Sequence, residues 1–314
     1  MRLAAIDIGT NSTRLLITDY KNSKFIPLER KMEITRLGKD LARNKTILDD
    51  SARKTLEALS GYWRLVKDYD VEKYRAVGTS AVRKASNSDW FVSHIYKHLG
   101  MKIEVISGRE EAKLSFYGAL RDMDLNRLSR KAESGARVLV VDIGGGSSEL
   151  ILGDSNCNLI FAGSLDLGCV SLTEKFIGSG IPDMDSLNRM QRHIAKRLKE
   201  AIKRIRQHKS LFIIGVAGTI TTLAAIDLKL KVYNRERIHR HILSFKRIED
   251  IYKNLCRMDL EDRKKVAGLN PKRADIIIAG TAIALEILKL LGSDDIMVSE
   301  RDILDGIIYT LIDF

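Results

Sequence analysis

Two short segments hold the residue types that phosphate chemistry uses. Asp7-Ile8-Gly9-Thr10-Asn11-Ser12 and Asp142-Ile143-Gly144-Gly145-Gly146-Ser147 lie 135 residues apart. Each follows an apolar run (Leu3–Ile6; Val138–Val141) and precedes another (Leu15–Ile17; Leu150–Leu152). A strand that ends on Asp, turns through Gly and Ser and returns as a strand brings backbone N–H groups together. Such a concavity binds phosphate, because glycine lets the main chain approach and no side chain shields the donors. The Asp at the strand end is placed to hold a divalent cation that bridges to the same phosphate. One copy is weak; two copies in the same strand–turn–strand setting predict a two-lobed clamp. Neither copy is a Walker loop or the strand-to-helix glycine motif of dinucleotide enzymes. A third glycine element, Gly215-Val216-Ala217-Gly218-Thr219, runs from strand into helix, with Thr219 the expected N-cap and the helix N-terminus an anion site, or else a tight helix–strand contact.

The elements that must position these residues alternate. Period-two patterns predict strands at Leu3–Ile8, Arg14–Asp19, Tyr74–Val77, Lys102–Ile106, Arg137–Val141, Glu149–Leu152 and Leu211–Gly215. Steps of three and four predict helices at Ser51–Asp70, Trp90–Leu99, Glu110–Leu120, Ile181–Gln207 and Thr219–Leu228. This alternation predicts an α/β architecture. The polar stretch Arg121–Arg137 is the expected seam. It divides the chain into a first domain, 1–121, and a second, 122–297. The Ile181–Gln207 helix is amphipathic with a basic outer face, read first as solvated surface and second as an anion-binding wall.

Composition bounds the partners. The chain has 314 residues, 45% hydrophobic and 30% charged, with 3 Pro, which excludes disordered, collagen-like and disulfide-scaffold classes. Lys and Arg number 53 against 41 acids, a net charge of +12 that points to anionic partners. Up to Arg121 the balance is 23 basic to 15 acidic, and 30 to 26 thereafter. Aromatics are 6%, with no stacking platform or helix-turn-helix pattern, so nucleic acid is disfavoured. Cys157, Cys169 and Cys256 fit no metal spacing and read as reduced thiols. The opening apolar run is too short for a signal peptide, and Leu211–Ile226 falls short of a span, so the expectation is a cytoplasmic chain with no membrane partner.

Further segments complete a pattern: Gly78-Thr79-Ser80-Ala81-Val82-Arg83, Ile106-Ser107-Gly108-Arg109-Glu110-Glu111-Ala112, Asp142 through Glu149, His239-x-x-x-Leu243-Ser244 and Arg273-Ala274-Asp275-Ile276-Ile277-x-Ala279-Gly280. With the first turn, and in this order, they resemble the exopolyphosphatase / guanosine pentaphosphate phosphohydrolase (Ppx/GppA) family over essentially the whole chain. The resemblance implies two actin-like, ribonuclease H-like domains of the acetate and sugar kinase, chaperone and actin superfold, with the active site in the cleft between them. It also implies that the C-terminal helix in 298–314 packs back onto the first domain. The chain resembles the short two-domain form, without an added helical domain.

The activity it implies is release of terminal phosphate from inorganic polyphosphate, or of the 5′ γ-phosphate from pppGpp to give ppGpp, with Mg²⁺. Polyphosphate is the preferred substrate, and both activities on one enzyme remain open. By the same resemblance Glu111 is the base for water, with Glu110, about 100° away around the helix, as runner-up. Asp142 and Glu149 hold the metal, with Asp7 a third ligand. Phosphate-binding groups are Thr10, Asn11, Ser12, Gly144, Gly145, Gly146, Ser147, Gly218 and Thr219. The arginines Arg14, Arg83 and Arg273 are further candidates, each balanced against an ordinary salt bridge. His239 and His241 read as structural. A kinase of the same superfold and a non-hydrolysing alarmone or polyphosphate sensor are the competing classes. Relatives suggest a homodimer.

Overall fold

A computed structural model describes residues 1–120, 137–154, 157–178, 180–208 and 211–312. It divides into two compact units, one of Met1–Gly118 with Ile303–Phe314, the other of Ala119–Asp302. The expected seam lies outside the described residues, apart from Arg137, which opens a strand.

The first unit holds a five-stranded sheet in the order β3-β2-β1-β4-β5. Its strands are β1 (Arg2–Ile8), β2 (Thr13–Lys21), β3 (Lys24–Glu33), β4 (Lys73–Gly78) and β5 (Glu104–Val105). β1, β2 and β3 form an antiparallel meander, and β4 and β5 add in parallel with β1. Parallel additions need crossovers, and the helices Asp49–Asp68 and Ser88–Leu99 supply them. β1 is central and covered on both faces, so it reads as the unbroken apolar run Leu3-Ala4-Ala5-Ile6. One face packs on Leu59, Phe91 and Ile95 of the crossover helices. The other packs on the C-terminal helix Ile303–Tyr309 and on Leu114 of the helix Gly108–Leu120.

The second unit repeats the plan. β6 (Arg137–Ile143), β7 (Ser148–Asp154) and β8 (Leu159–Leu165) make an antiparallel meander, and β9 (Leu211–Val216) and β11 (Asp295–Val298) lie parallel to β6. β10 (Ile242–Ser244) is appended antiparallel at the far edge, giving β10-β11-β9-β6-β7-β8. The helices Met184–Ile205, Ala217–Asp227, Phe245–Cys256 and Ile277–Leu291 share one core with this sheet. Each unit is an actin-like α/β domain built on a mixed sheet.

The basic helix Met184–Ile205 starts at Asp183, whose carboxylate accepts from the Ser186 N–H at 2.8 Å and is held below the usual carboxylate range by that bond. Leu187, Met190, Ile194, Leu198, Ile202 and Ile205 are buried. Each is worth about 1.5–3 kcal/mol, against ~0.2–0.5 kcal/mol lost per like-charge neighbour on the outer face. Burial holds this helix despite its charge.

The expected elements are present, with shifted ends and additions. The Lys102–Ile106 strand shrinks to β5, two residues pairing with Val77 and Gly78. Ile181 to Asp183 precede the long helix rather than belong to it, because Pro182 and the Asp183 cap set its start. The two outer strands β3 and β8 carry no clean alternation. β3 is an exposed, charged edge with Pro27, where Leu28 bulges out of register between Pro27 and Glu29.

Gly306 sets the approach of the last helix. A Cβ there would stand 1.9 Å from the Leu114 carbonyl oxygen, and Arg30 Nη2 donates to Asp305 Oδ2 at 2.7 Å one residue earlier. Gly306→Ala is expected to destabilise the first unit by about 1–3 kcal/mol, read as a lower thermal midpoint, whereas Gly61→Ala, in open space on a helix, leaves it unchanged or raised.

Candidate functional site

In the first unit β1 delivers Asp7 opposite Arg14 of β2, and the chain turns through Gly9–Ser12 between them. The Gly9 N–H donates to the Ser12 carbonyl at 3.0 Å, closing the turn. The turn's other carbonyls are taken from outside: Gly38 N–H donates to Thr10 O at 2.9 Å and Arg36 N–H to Asn11 O at 3.0 Å. Gly38 must be glycine for this, since a Cβ would sit 2.3 Å from Thr10 Cγ2. Thr10 and Asn11 are each 7% exposed, and Thr10 Oγ1 and Asn11 Nδ2 have no hydrogen-bond partner among the described residues. Leaving a buried polar atom unpaired costs about 1–3 kcal/mol, which a ligand accepting from or donating to it would recover.

The second unit builds the same turn. Asp142 faces Glu149 across β6 and β7, and the Gly144 N–H donates to the Ser147 carbonyl at 3.0 Å. Cys169 N–H and Val170 N–H take the carbonyls of Gly144 and Gly145 at 3.0 and 2.9 Å. Here Gly168 is the required glycine: its Cβ would overlap Gly145 O at 2.1 Å and Gly146 N at 2.4 Å. Glu149, 1% exposed, accepts from Ser164 Oγ at 2.7 Å, while Ser148 Oγ donates to the Leu167 carbonyl at 2.5 Å. The likeness extends to the next parallel strand. Thr79 Oγ1 donates to Ile8 O at 3.3 Å in one unit, and Thr219 Oγ1 to Ile143 O at 3.2 Å in the other.

Thr219 is therefore not the N-cap expected of it. The helix begins at Ala217, with Val216 as cap and Ala217 in the left-handed region at φ 64°, and the Thr219 hydroxyl is spent on the adjoining strand. Gly218 allows another close approach, that of the Arg273 guanidinium, whose Nη1 lies 2.0 Å from where a Cβ would be. Arg273 thus sits at this helix start. The loop carrying it is tied by Arg263, 1% exposed, which donates through Nη1 to Ala274 O at 2.9 Å and through Nη2 to Gly180 O at 3.3 Å.

The adjacent acids Glu110 and Glu111 separate by environment. Both lie in the first turn of the helix that follows β5. Ser107 caps it, its hydroxyl accepting from the Glu110 N–H at 3.1 Å. Glu111, 9% exposed, receives the Arg83 guanidinium on Oε2 at 2.9 Å, and the same Nη1 donates to Ile106 O at 2.8 Å. Glu110 turns outward beside Arg75, Nη2 to Oε1 at 3.7 Å, in a pair that Glu104 shares. Arg14 gives both Nε and Nη2 to Asp7 Oδ2, at 2.9 and 2.6 Å. Asp7 lies at the C-terminal end of β1, and Thr79, Arg83 and Glu111 follow the ends of β4 and β5, the end of an α/β sheet where ligands bind.

His239 and His241 are engaged elsewhere. His239 Nδ1 accepts from the Glu300 N–H at 3.2 Å, and His241 Nε2 lies 2.8 Å from Asp227 Oδ2. Gly38, Gly168, Ser107 and Arg263 are positioning residues that sequence reasoning missed. Only Ser107 had a signal, the Ser-x-x-Glu capping pattern of Ser107–Glu110.

Residues 16–313 match the Ppx/GppA phosphatase family, and the chain belongs to that family of hydrolases. Exopolyphosphatase 2 of Mycobacterium tuberculosis is 34% identical over 323 residues, covering 99% of this chain and 98% of that protein. The bifunctional 3-dehydroquinate synthase/phosphatase of Fusobacterium nucleatum is 36% identical over 320 residues, 97% of this chain. The chain spans about half, 46%, of that protein's length. Among solved structures, the exopolyphosphatase of Cytophaga hutchinsonii aligns with a TM-score of 0.88 at 28% identity, covering 99% of this chain and 97% of that one. Among the described residues no helix is long and apolar enough to cross a membrane.

Cys169 lies under the second turn, 3% exposed, and burial pushes its thiol up to about 11 despite the nearby Arg273 charge. Between the ordinary thiol value of 9.0 and about 11 the unfolded chain releases a proton that the native one keeps, so stability falls as pH rises through that window. In the native protein Cys169 is expected to resist alkylation at pH 8 and to react only on denaturation, as peptide mapping of iodoacetamide adducts would read; ready native labelling would contradict its burial.

Proposed function

We propose that this protein is an exopolyphosphatase that releases terminal orthophosphate from inorganic polyphosphate by attack of water activated by Glu111. The observation that carries the reading is the placement of Glu111: a buried carboxylate fixed by Arg83 at the ligand-binding end of its sheet, while its neighbour Glu110 faces outward. Glu111 orients the water and takes its proton as the water oxygen bonds to the terminal phosphorus. The bond from that phosphorus to the bridging oxygen breaks, and the electron pair leaves on the shortened chain. Such a step asks little covalent chemistry of a protein beyond positioning and charge stabilisation. The turns Gly9–Ser12 and Gly144–Ser147 supply main-chain amides, with Thr10 Oγ1 and Asn11 Nδ2 buried and available to phosphate oxygens. Gly218, Thr219 and Arg273 offer a helix start and a guanidinium in the second unit. The polyphosphate substrate is favoured by the named relatives and by the net charge of +12.

Asp142 and Glu149 fit Mg²⁺. They are cross-strand neighbours, both nearly buried, at the mouth of the second turn. Among the described residues no three His, Cys, Asp or Glu groups converge into a preformed cage. Mg²⁺ suits such a partial donor set, since it keeps waters and takes the rest of its ligands from substrate phosphates. When bound it would polarise a phosphoryl oxygen and neutralise developing charge. Asp7 is a weaker candidate, because Oδ2 already takes two donors from Arg14.

Guanosine pentaphosphate presents the same terminal anhydride and is the alternative substrate. A kinase would transfer the phosphoryl group to an acceptor, and a sensor would release nothing. Phosphate release from long polyphosphate, short polyphosphate and pppGpp, measured side by side with Mg²⁺ and no acceptor, separates these, with the fastest turnover expected on polyphosphate. Glu111→Gln is expected to lower release by ~10²-fold or more with substrate binding retained, and Glu110→Gln to leave it within a few-fold. Equal losses in the two variants would remove Glu111 from its role.

A further inference from the structure

The helix Met184–Ile205 presents a row of cations that the chemistry above does not use. Arg189, Arg192, Lys196, Lys199, Lys203 and the capping Arg206 follow one another at steps of three and four, all exposed. Such steps return to one side of a helix, so the six form a stripe about 100° wide and ~26 Å long. Between Ser186 and Arg206 the only acid is Glu200. Arg189 pairs with Asp185 at 3.3 Å, whereas Arg192, Lys196, Lys199 and Lys203 have no ion pair among the described residues. Two further cations lie off the stripe and are engaged: Arg197 Nη2 reaches Asp166 Oδ2 at 3.5 Å, and Arg204 lies over the Phe161 ring at 5.9 Å. Asp166 stands two residues before Gly168, the glycine that abuts Gly145 of the second turn. The helix therefore flanks the strap that pins that turn.

We propose that this stripe is a secondary track that holds the distal part of a long inorganic polyphosphate chain; the inference rests on the polyphosphate reading above. Like charges at i, i+3 and i, i+4 repel along the helix, and a linear polyanion laid on them relieves the repulsion while releasing its own counterions. Three of the unpaired cations are lysines, point charges on mobile stems that suit a ligand with phosphate and nothing else to recognise. Nucleic acid fits less well, because residues 186–206 include no Phe, Tyr or Trp on which a base could stack. An anionic bilayer fits less well again: the apolar side of this helix is buried in its own domain core and has nothing to insert.

The test compares the parent with the triple variant Lys196→Ser, Lys199→Ser, Lys203→Ser, all in the Glu111→Gln background so that chains are not shortened. Affinity is read by competition against fluorescent long-chain polyphosphate, with tripolyphosphate, duplex DNA and phosphatidylglycerol vesicles as further arms. Expected is a loss of about tenfold or more for long chains, a salt slope shallower by ~2, unchanged tripolyphosphate binding, and recovery when the three lysines become arginine. Unchanged long-chain affinity, an equal loss for tripolyphosphate, or a loss confined to DNA or to vesicles would overturn the track. Phosphate release with Glu111 intact separates the two proposals. Lysine-dependent long-chain binding without any release would remove the hydrolytic reading and leave the track. Equal release from long chains with or without the lysines, at limiting substrate, would remove the track and leave hydrolysis.

Discussion

A main-chain amide can be offered to an anion only where no Cβ stands in front of it and where its own peptide is held still. Both turns meet these conditions with the same device. One amide, that of Gly9 or Gly144, closes the turn onto the serine carbonyl three residues on, and a second strap of backbone takes the turn's outward carbonyls. The straps come close enough only because they carry glycine, Gly38 against Thr10 and Gly168 against Gly145. The rest of each site is arranged around this contact. Asp7 and Asp142 sit at the strand ends that feed the turns, and Thr79 and Thr219, each just past the end of the neighbouring parallel strand, bond to the residue just before each glycine.

In the first unit buried charge is handled by pairing. Arg83 holds Glu111 while anchoring itself on the Ile106 carbonyl, and Arg14 closes on Asp7. A charge left alone at such burial would cost several kcal/mol, so each arginine both relieves and aims its carboxylate. Arg263 meets the same demand differently, donating to carbonyls at Asp259, Ala274 and Gly180, with desolvation holding its pKa below the ordinary value. Its reward is a fixed loop, and the next residue along from Ala274 toward the N-terminus is Arg273 at the Gly218 helix start. Preorganised donors of this kind act on developing charge without having to reorganise first.

The central strands were readable because burial on both faces leaves an unbroken apolar run, as in Leu3–Ile6 and Val138–Val141. The edges were not. β3 keeps its hydrophobic residues half in solvent and breaks its register at Leu28, and β8 alternates as poorly, so neither shows a period that one sequence can display. The helix Ile277–Leu291 escaped for the opposite reason: its first eight residues are all buried, so those turns have no polar face to set a period. Thr219 illustrates a local rule losing to a tertiary bond. Its side chain could cap the helix, but a carbonyl on the adjacent strand, at Ile143, claims it.

What the residues alone determined is the chemistry on offer: two Asp-Gly-Ser turns between apolar strands, an adjacent pair of glutamates at a helix start, and an excess of positive charge. Those follow from local preferences, which depend on neighbours a few residues away. Which glutamate is buried, which arginine meets which carboxylate, and which glycines press on which turn were decided only in three dimensions. Gly168 and Gly145 are 23 residues apart and Arg83 and Glu111 are 28 apart, separations at which no periodicity links one residue to another. Steric contact and burial, properties of the folded surface rather than of any segment, make those choices.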